Sequence, residues 1–166
     1  VAGRLFAVNV ATLARSGPRR EHRQGPIPGL AVSTSHVVEG SEVEVDVNLE
    51  PVSGGIMASG WVQAAWEGEC RRCLGGASGT LRSEVRELFE ERSSGDETYP
   101  LDGDQLDLEP LARDAVLLEL PQAPLCREDC MGLCPACGAD LNEGPCGCPT
   151  ERDPRWGVLD TLRDTD

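Results

Sequence analysis

Six of the eight cysteines fall in the 23-residue stretch CREDCMGLCPACGADLNEGPCGC (126–148), and the remaining two, Cys70 and Cys73, sit in GECRRCLGG. Zinc takes four thiolate or imidazole ligands in a tetrahedron, and a C-x2-C turn places two sulfurs on one ion while its backbone amides point at them. CPACG is such a turn, with Pro135 stiffening it and Gly138 opening the backbone after the second ligand. CGC follows eight residues later, so Cys134, Cys137, Cys146 and Cys148 are assigned to one zinc ion. Cys70 and Cys73, with Cys126 and Cys130, then supply two tight pairs for a second ion. Other partitions stay open, such as Cys130, Cys134 and Cys137 with either Cys146 or Cys148. Two other chemistries compete. A redox C-x-x-C sits at a helix N-terminus that lowers the nucleophile's pKa, whereas CRRC runs into LGGASG, a poor helix start. A disulfide knot needs an oxidising compartment.

Sites closed by four protein thiolates leave no coordination position for a water nucleophile, which hydrolytic zinc requires. His22 and His36 lack the spacing of a metal-binding helix, and no nucleophile elbow, phosphate loop or dinucleotide fingerprint occurs. The expectation is a protein without enzymatic activity and without a small-molecule substrate.

The elements that must position these sulfurs are legible in part. VNVATLARSG (8–17) predicts a short helix, and RSGPRREHR (15–23) a solvated basic loop. In SEVEVDVNLE, Val43, Val45, Val47 and Leu49 alternate with polar residues, as a half-buried strand requires. After PVSGG a second strand carries Ile56, Ala58, Gly60, Val62, Ala64 and Trp66 at one parity, and a third carries Leu81, Val85 and Phe89. Cys70 and Cys73 thus cap the hairpin between the second and third strands. SSGDETYPLDGDQ is expected as an acidic loop, and LEPLARDAVLLEL as the main helix, N-capped by Asp107 and stopped by PQAP. The fold class expected is α+β: a twisted antiparallel, partly barrel-like sheet, one main helix and a C-terminal zinc-ribbon-like cysteine cluster. The expected organisation is a core over 1–125, a cysteine-rich zinc module over 126–150 and a docking tail over 151–166.

The chain has 166 residues, with 15 basic residues, all arginine, against 29 acidic ones, for a net charge of −14. Residues 84–119 hold twelve acids and three arginines, a local −9. Such a surface repels a phosphate backbone, so free nucleic acid is a poor partner. It attracts a basic one. Arg15, Arg19, Arg20 and Arg23 form a local exception and are the candidate RNA contacts. No run of apolar residues approaches a membrane span, and the first residues do not read as a signal peptide, so a cytoplasmic protein is expected.

With the cysteines placed, the chain resembles the YceD-type family, the large ribosomal RNA subunit accumulation proteins of bacteria and plastids. CRRC, the passage DLEPLARDAVLLELPQAPLCREDCMGLCPACGADLNEGPCGC, the closing DPRWGVLDTLR and the opening VNVATLARSGPRR carry the resemblance. It implies a non-enzymatic role in accumulation or maturation of the large subunit's RNA. Together with the charge, it points to a basic ribosomal protein or assembly factor as partner, with RNA touched indirectly or weakly. The rivals are a direct nucleic-acid-binding regulator and a thiol redox protein.

Overall fold

The computed structural model describes residues 5–92, 98–149 and 155. Its strands are β1 (Ala7–Asn9), β2 (Arg19–Gly25), β3 (Ser35–Val37), β4 (Val43–Val52), β5 (Gly55–Glu69), β6 (Gly76–Glu90), β7 (Tyr99–Asp102) and β8 (Gln105–Asp107). Two helices, α1 (Leu13–Ser16) and α2 (Glu109–Glu119), accompany them. The sheet runs in the order β1-β8-β7-β6-β5-β4-β2, and β3 pairs with β5 beyond the end of β4. It curls into a half-barrel whose two end strands, β1 and β2, approach one another. The Arg19 guanidinium donates to the Asn9 carbonyl across that gap at 2.8 Å.

The curl follows from where the apolar residues fall. Val43, Val45, Val47 and Leu49 of β4 are fully buried on the concave face, joined by Ile56, Ala58, Val62 and Ala64 of β5 and Leu81, Val85 and Phe89 of β6. All three runs obey the period of two that a strand with one buried face demands. Gly60 sits where β5 presses against β4: a Cβ there would run into the Asp46 carbonyl and the Val47 Cα. Leu111, Ala112, Ala115 and Val116 of α2 fill the hollow, as an amphipathic helix should. Asp107 Oδ1 accepts the Glu109 N–H at 3.0 Å, so the expected acid does cap the first turn.

Four local expectations are corrected. The N-terminal helix is one turn, because Val8 is taken by the pairing of β1 with β8. Residues 19–25 are strand β2, fully registered against β4, where a loop was expected. Part of the acidic loop is the hairpin β7–β8, turned at Gly103 and Asp104. The sheet is not wholly antiparallel: β7 runs parallel to β6 at Phe89↔Tyr99 and Glu90↔Pro100, where the two rings stack at 5.2 Å. The expected tail, 151–166, lies outside the described residues apart from Arg155.

Candidate metal centres

The long β5–β6 hairpin ends in the turn that carries Cys70 and Cys73. Cys70 N–H donates to the Gly75 carbonyl (2.7 Å) and Leu74 N–H to the Cys70 carbonyl (2.9 Å), folding CRRCLG into a knuckle. Leu74 takes φ 60°, a left-handed conformation uncommon for residues other than glycine. After α2, residues 120–125 return to this knuckle. Ser35 Oγ donates to the Pro121 carbonyl (2.9 Å), Thr34 Oγ1 to that of Gln122 (3.0 Å), and Arg71 N–H to that of Pro124 (2.9 Å). Cys126 and Cys130 are thereby set beside Cys70 and Cys73. The four sulfurs all lie within 4.8 Å of one another.

A second group of four forms independently. Gly138, at φ 74°, donates its N–H to the Cys134 carbonyl (2.8 Å), closing the CPACG turn as the sequence requires. Cys134, Cys137, Cys146 and Cys148 then converge, again with all sulfurs within 4.8 Å. The partition four plus four is the one the chain adopts, and the alternative that mixes Cys130 with the second group is not.

The first group has the dimensions of a tetrahedral site. Zinc–sulfur bonds of ~2.3 Å put tetrahedral sulfurs about 3.8 Å apart. Cys70 and Cys130 stand 3.9 Å apart, and Cys73 and Cys126 3.7 Å. These separations are nearly twice the ~2.05 Å of a disulfide, and none of the eight cysteines is bonded to another. The electrostatics are alike in the two turns. Backbone N–H groups, that of Cys73 first, lower the Cys70 thiol to about 6, and those of Cys137 and Ala136 bring Cys134 to about 6. Crowding by neighbouring sulfurs acts the other way. Hydrogen bonding with Cys130 pushes Cys126 up to about 12, and with Cys137 and Cys146 pushes Cys148 up to about 12. A cation shared within each group would relieve the crowding at Cys126 and Cys148.

The two groups differ in shelter. Cys70 and Cys130 are buried with Ala77 in a small cluster of their own, flanked by Leu125 and Trp66. Trp66 also packs on the main core and lies over Gly79, whose absent side chain leaves room for the indole. In the second group Cys137 and Cys146 are exposed. Two residues that the spacing argument missed tie the groups together. Arg72, inside CRRC, donates to the Cys130 carbonyl (2.8 Å) and accepts from Leu133 N–H (3.0 Å) through its own carbonyl. Asn142, from the second loop, accepts from Met131 N–H (2.8 Å) and donates to Cys130 Sγ (3.5 Å). Neither carries a sequence signal, because an arginine or asparagine serving a loop backbone has no characteristic period.

The four candidate RNA-contacting arginines do not converge on one surface. Arg19 and Arg23 share the parity of Glu21 and both engage its carboxylate, at 2.6 and 2.8 Å. Arg20 points to the opposite face and grips Asp46 through two nitrogens at 2.6 and 2.7 Å. Hydrogen bonding from Arg20, aided by its charge, holds the Asp46 carboxyl below its usual value. Arg15 is exposed on α1.

The family model described as "Large ribosomal RNA subunit accumulation protein YceD" matches residues 58–163. The chain belongs to the YceD family. An uncharacterized protein of Mycobacterium tuberculosis is 39% identical over 140 residues, covering 75% of this chain and 68% of its own length. An uncharacterized protein of Mycobacterium leprae is 36% identical over 151 residues, 82% of this chain and 67% of its own. The chloroplastic "Large ribosomal RNA subunit accumulation protein YCED homolog 1" of Arabidopsis thaliana is 36% identical over 67 residues, 40% of this chain and 21% of its own. No solved structure matches. The YceD match begins inside β5 and so takes in both cysteine groups. No helix among the described residues is long and apolar enough to cross a membrane.

Proposed function

We propose that this YceD-family chain is a non-enzymatic, zinc-binding factor in accumulation of large-subunit ribosomal RNA, acting in the cytoplasm during ribosome assembly through a basic protein partner. Family membership, with a description that names this RNA, is the observation that carries the reading. The metal part is supported by two groups of four sulfurs, each within 4.8 Å of one another, Cys70, Cys73, Cys126 and Cys130, and Cys134, Cys137, Cys146 and Cys148. When bound, zinc would cross-link the segments that carry these cysteines. The chain's own residues do the rest: Arg72 and Asn142 orient the loops, and Trp66 and Leu125 pack over Cys70 and Cys130. The partner's chemistry is supported by the net charge of −14, and by Arg19, Arg20 and Arg23 each being ion-paired within the chain, to Glu21 or Asp46.

The test is purification of the full chain without added metal, followed by metal analysis and by capture of its partners at rising salt. Two zinc ions per chain, and salt-sensitive retention of basic ribosomal or assembly proteins, are expected. Metal-free protein would remove the metal role. Recovery of free RNA with no basic protein would remove the partner.

A further inference from the structure

Strand β6 is 15 residues long, and β5 covers one of its edges from end to end. On the other edge β7 reaches it only at Phe89 and Glu90. In an antiparallel ladder, residues alternate between those that bond to the neighbour and those whose N–H and C=O point away. Counting from the bond between Cys70 and Gly75, the odd residues of β6 face β5 and the even ones face outward. The backbone groups of Ser78, Thr80, Arg82, Glu84 and Arg86 therefore point off the sheet. All five residues are exposed, and none has a backbone partner on that side among the described residues.

Arg82 and Arg86 lie on the convex side of this edge, and three acids, Glu84, Glu87 and Asp114, stand beside them. Glu87 lies on the concave side of β6, and Asp114 of α2 stands close by, accepting from the Tyr99 hydroxyl at 2.8 Å. Glu84 stands on the convex side. No cation pairs with Glu84, Glu87 or Asp114 among the described residues. One turn beyond Asp114 on the same flank of α2, Leu118 is 87% exposed.

We propose that the free edge of β6 from Ser78 to Arg86 is a strand-addition site for an extended, lysine- or arginine-bearing polypeptide segment, with Glu87 and Asp114 reading the charge and Leu118 offering an apolar contact. Unpaired edge groups supply affinity to any extended chain, and the flanking side chains select among chains. The net charge of −14 favours a basic segment over a second copy of this protein. The proposal rests on the reading of a basic partner given above and names where that partner docks.

The probe is a ten-residue peptide of alternating lysine and threonine, added to the full metal-loaded chain, with amide hydrogen exchange as the readout. Protection of the amides of Thr80, Arg82 and Glu84 is expected to rise at least tenfold. Glu84→Pro, which removes one outward N–H without touching the β5 ladder, should weaken binding about tenfold. A peptide N-methylated at the residues that face β6 should lose binding by the same factor, independently of how the variant folds. Glu87→Gln with Asp114→Asn should flatten the salt dependence. Binding that leaves these amides unprotected overturns the docking site while leaving a basic partner standing. Amides already protected in a dimer before peptide is added overturn it in favour of a second copy. If neither the peptide nor any basic protein is retained, the partner reading falls with it.

Discussion

Leu74 and Gly132, each in a loop that carries cysteines of the first group, meet one backbone problem in opposite ways. Both hold positive φ, at 60° and 76°. A left-handed conformation costs an L-residue roughly 1–2 kcal/mol, and Leu74 bears that cost with its side chain largely in solvent. Leu74→Gly removes the strain but adds freedom to the unfolded chain, about 0.5–1 kcal/mol in the other direction. A melting temperature unchanged or raised by a few degrees is expected, with metal stoichiometry intact. Gly132→Ala adds strain and a clash together, since its Cβ would stand 2.9 Å from the Arg72 carbonyl oxygen. That carbonyl holds Leu133 in place. The variant should melt lower and lose the ion of the first group more readily, read by thermal scanning and by zinc content after dialysis. The Arg20–Asp46 pair gives a pH prediction at the same scale. The folded Asp46 pKa lies below its unfolded value. Its contribution is therefore present above the unfolded pKa and is lost as pH falls through the folded one. Asp46→Asn should fall slightly short of the parent in stability at pH 7 and converge with it as acid protonates the folded carboxylate, as denaturant midpoints along an acid titration would show.

The strands whose buried positions are all apolar were legible in the sequence, and those that bury charge were not. β4, β5 and β6 each fill their buried positions with Val, Leu, Ile, Ala or Phe, so their inner parity is visible without a structure. Strand β2 reads RREHRQG, and its inner face is the ion-paired trio Arg19, Glu21 and Arg23. Nothing in hydrophobic periodicity reports such a strand. The β7–β8 hairpin did leave a signal, the Asp-Gly of YPLDGDQ, but its acidic surroundings read as loop. The cysteine partition was legible because each group is built from tight pairs. The elements that bring the pairs together were only partly so, since the return of residues 120–125 depends on Ser35, Thr34 and Arg71 bonding to carbonyls. Phe89 shows how much one inner position on β6 carries. It is fully buried, stacks on Tyr99 and lies where β6 meets β7. Phe89→Ala should cost about 3–5 kcal/mol, the range for buried aromatic truncation, measured by denaturant unfolding of the metal-loaded protein.

Taken whole, the molecule has one large core in the half-barrel and a separate small one around Cys70, Cys130 and Ala77. The large core contains no cysteine, so metal removal should act on its surroundings and leave its packing intact. Metal-linked loops with few apolar contacts of their own depend on the ion for order. The second group exposes Cys137 and Cys146 and buries only Cys134, whereas the first exposes Cys126 alone and buries both Cys70 and Cys130, so the second is the more open to a chelator. Release into a chelating dye should therefore be biphasic. Cys146→Ser should abolish the fast phase and leave the slow one. Trypsin then reads the consequence at the scale of the chain. Arg127 is held by Asn142 at 2.6 Å and by Asp129 at 3.2 Å, between the two groups. With both ions bound it should resist cleavage. After the fast phase the Asn142 loop loosens and cutting at Arg127 should begin, and after the slow phase Arg71 and Arg72 in the knuckle should follow. The arginines of β2, paired across seven registered residues, should stay protected throughout. Simultaneous loss of protection at β2 and at Arg127, read by mass spectrometry of timed digests, would show instead that the ions hold the half-barrel itself.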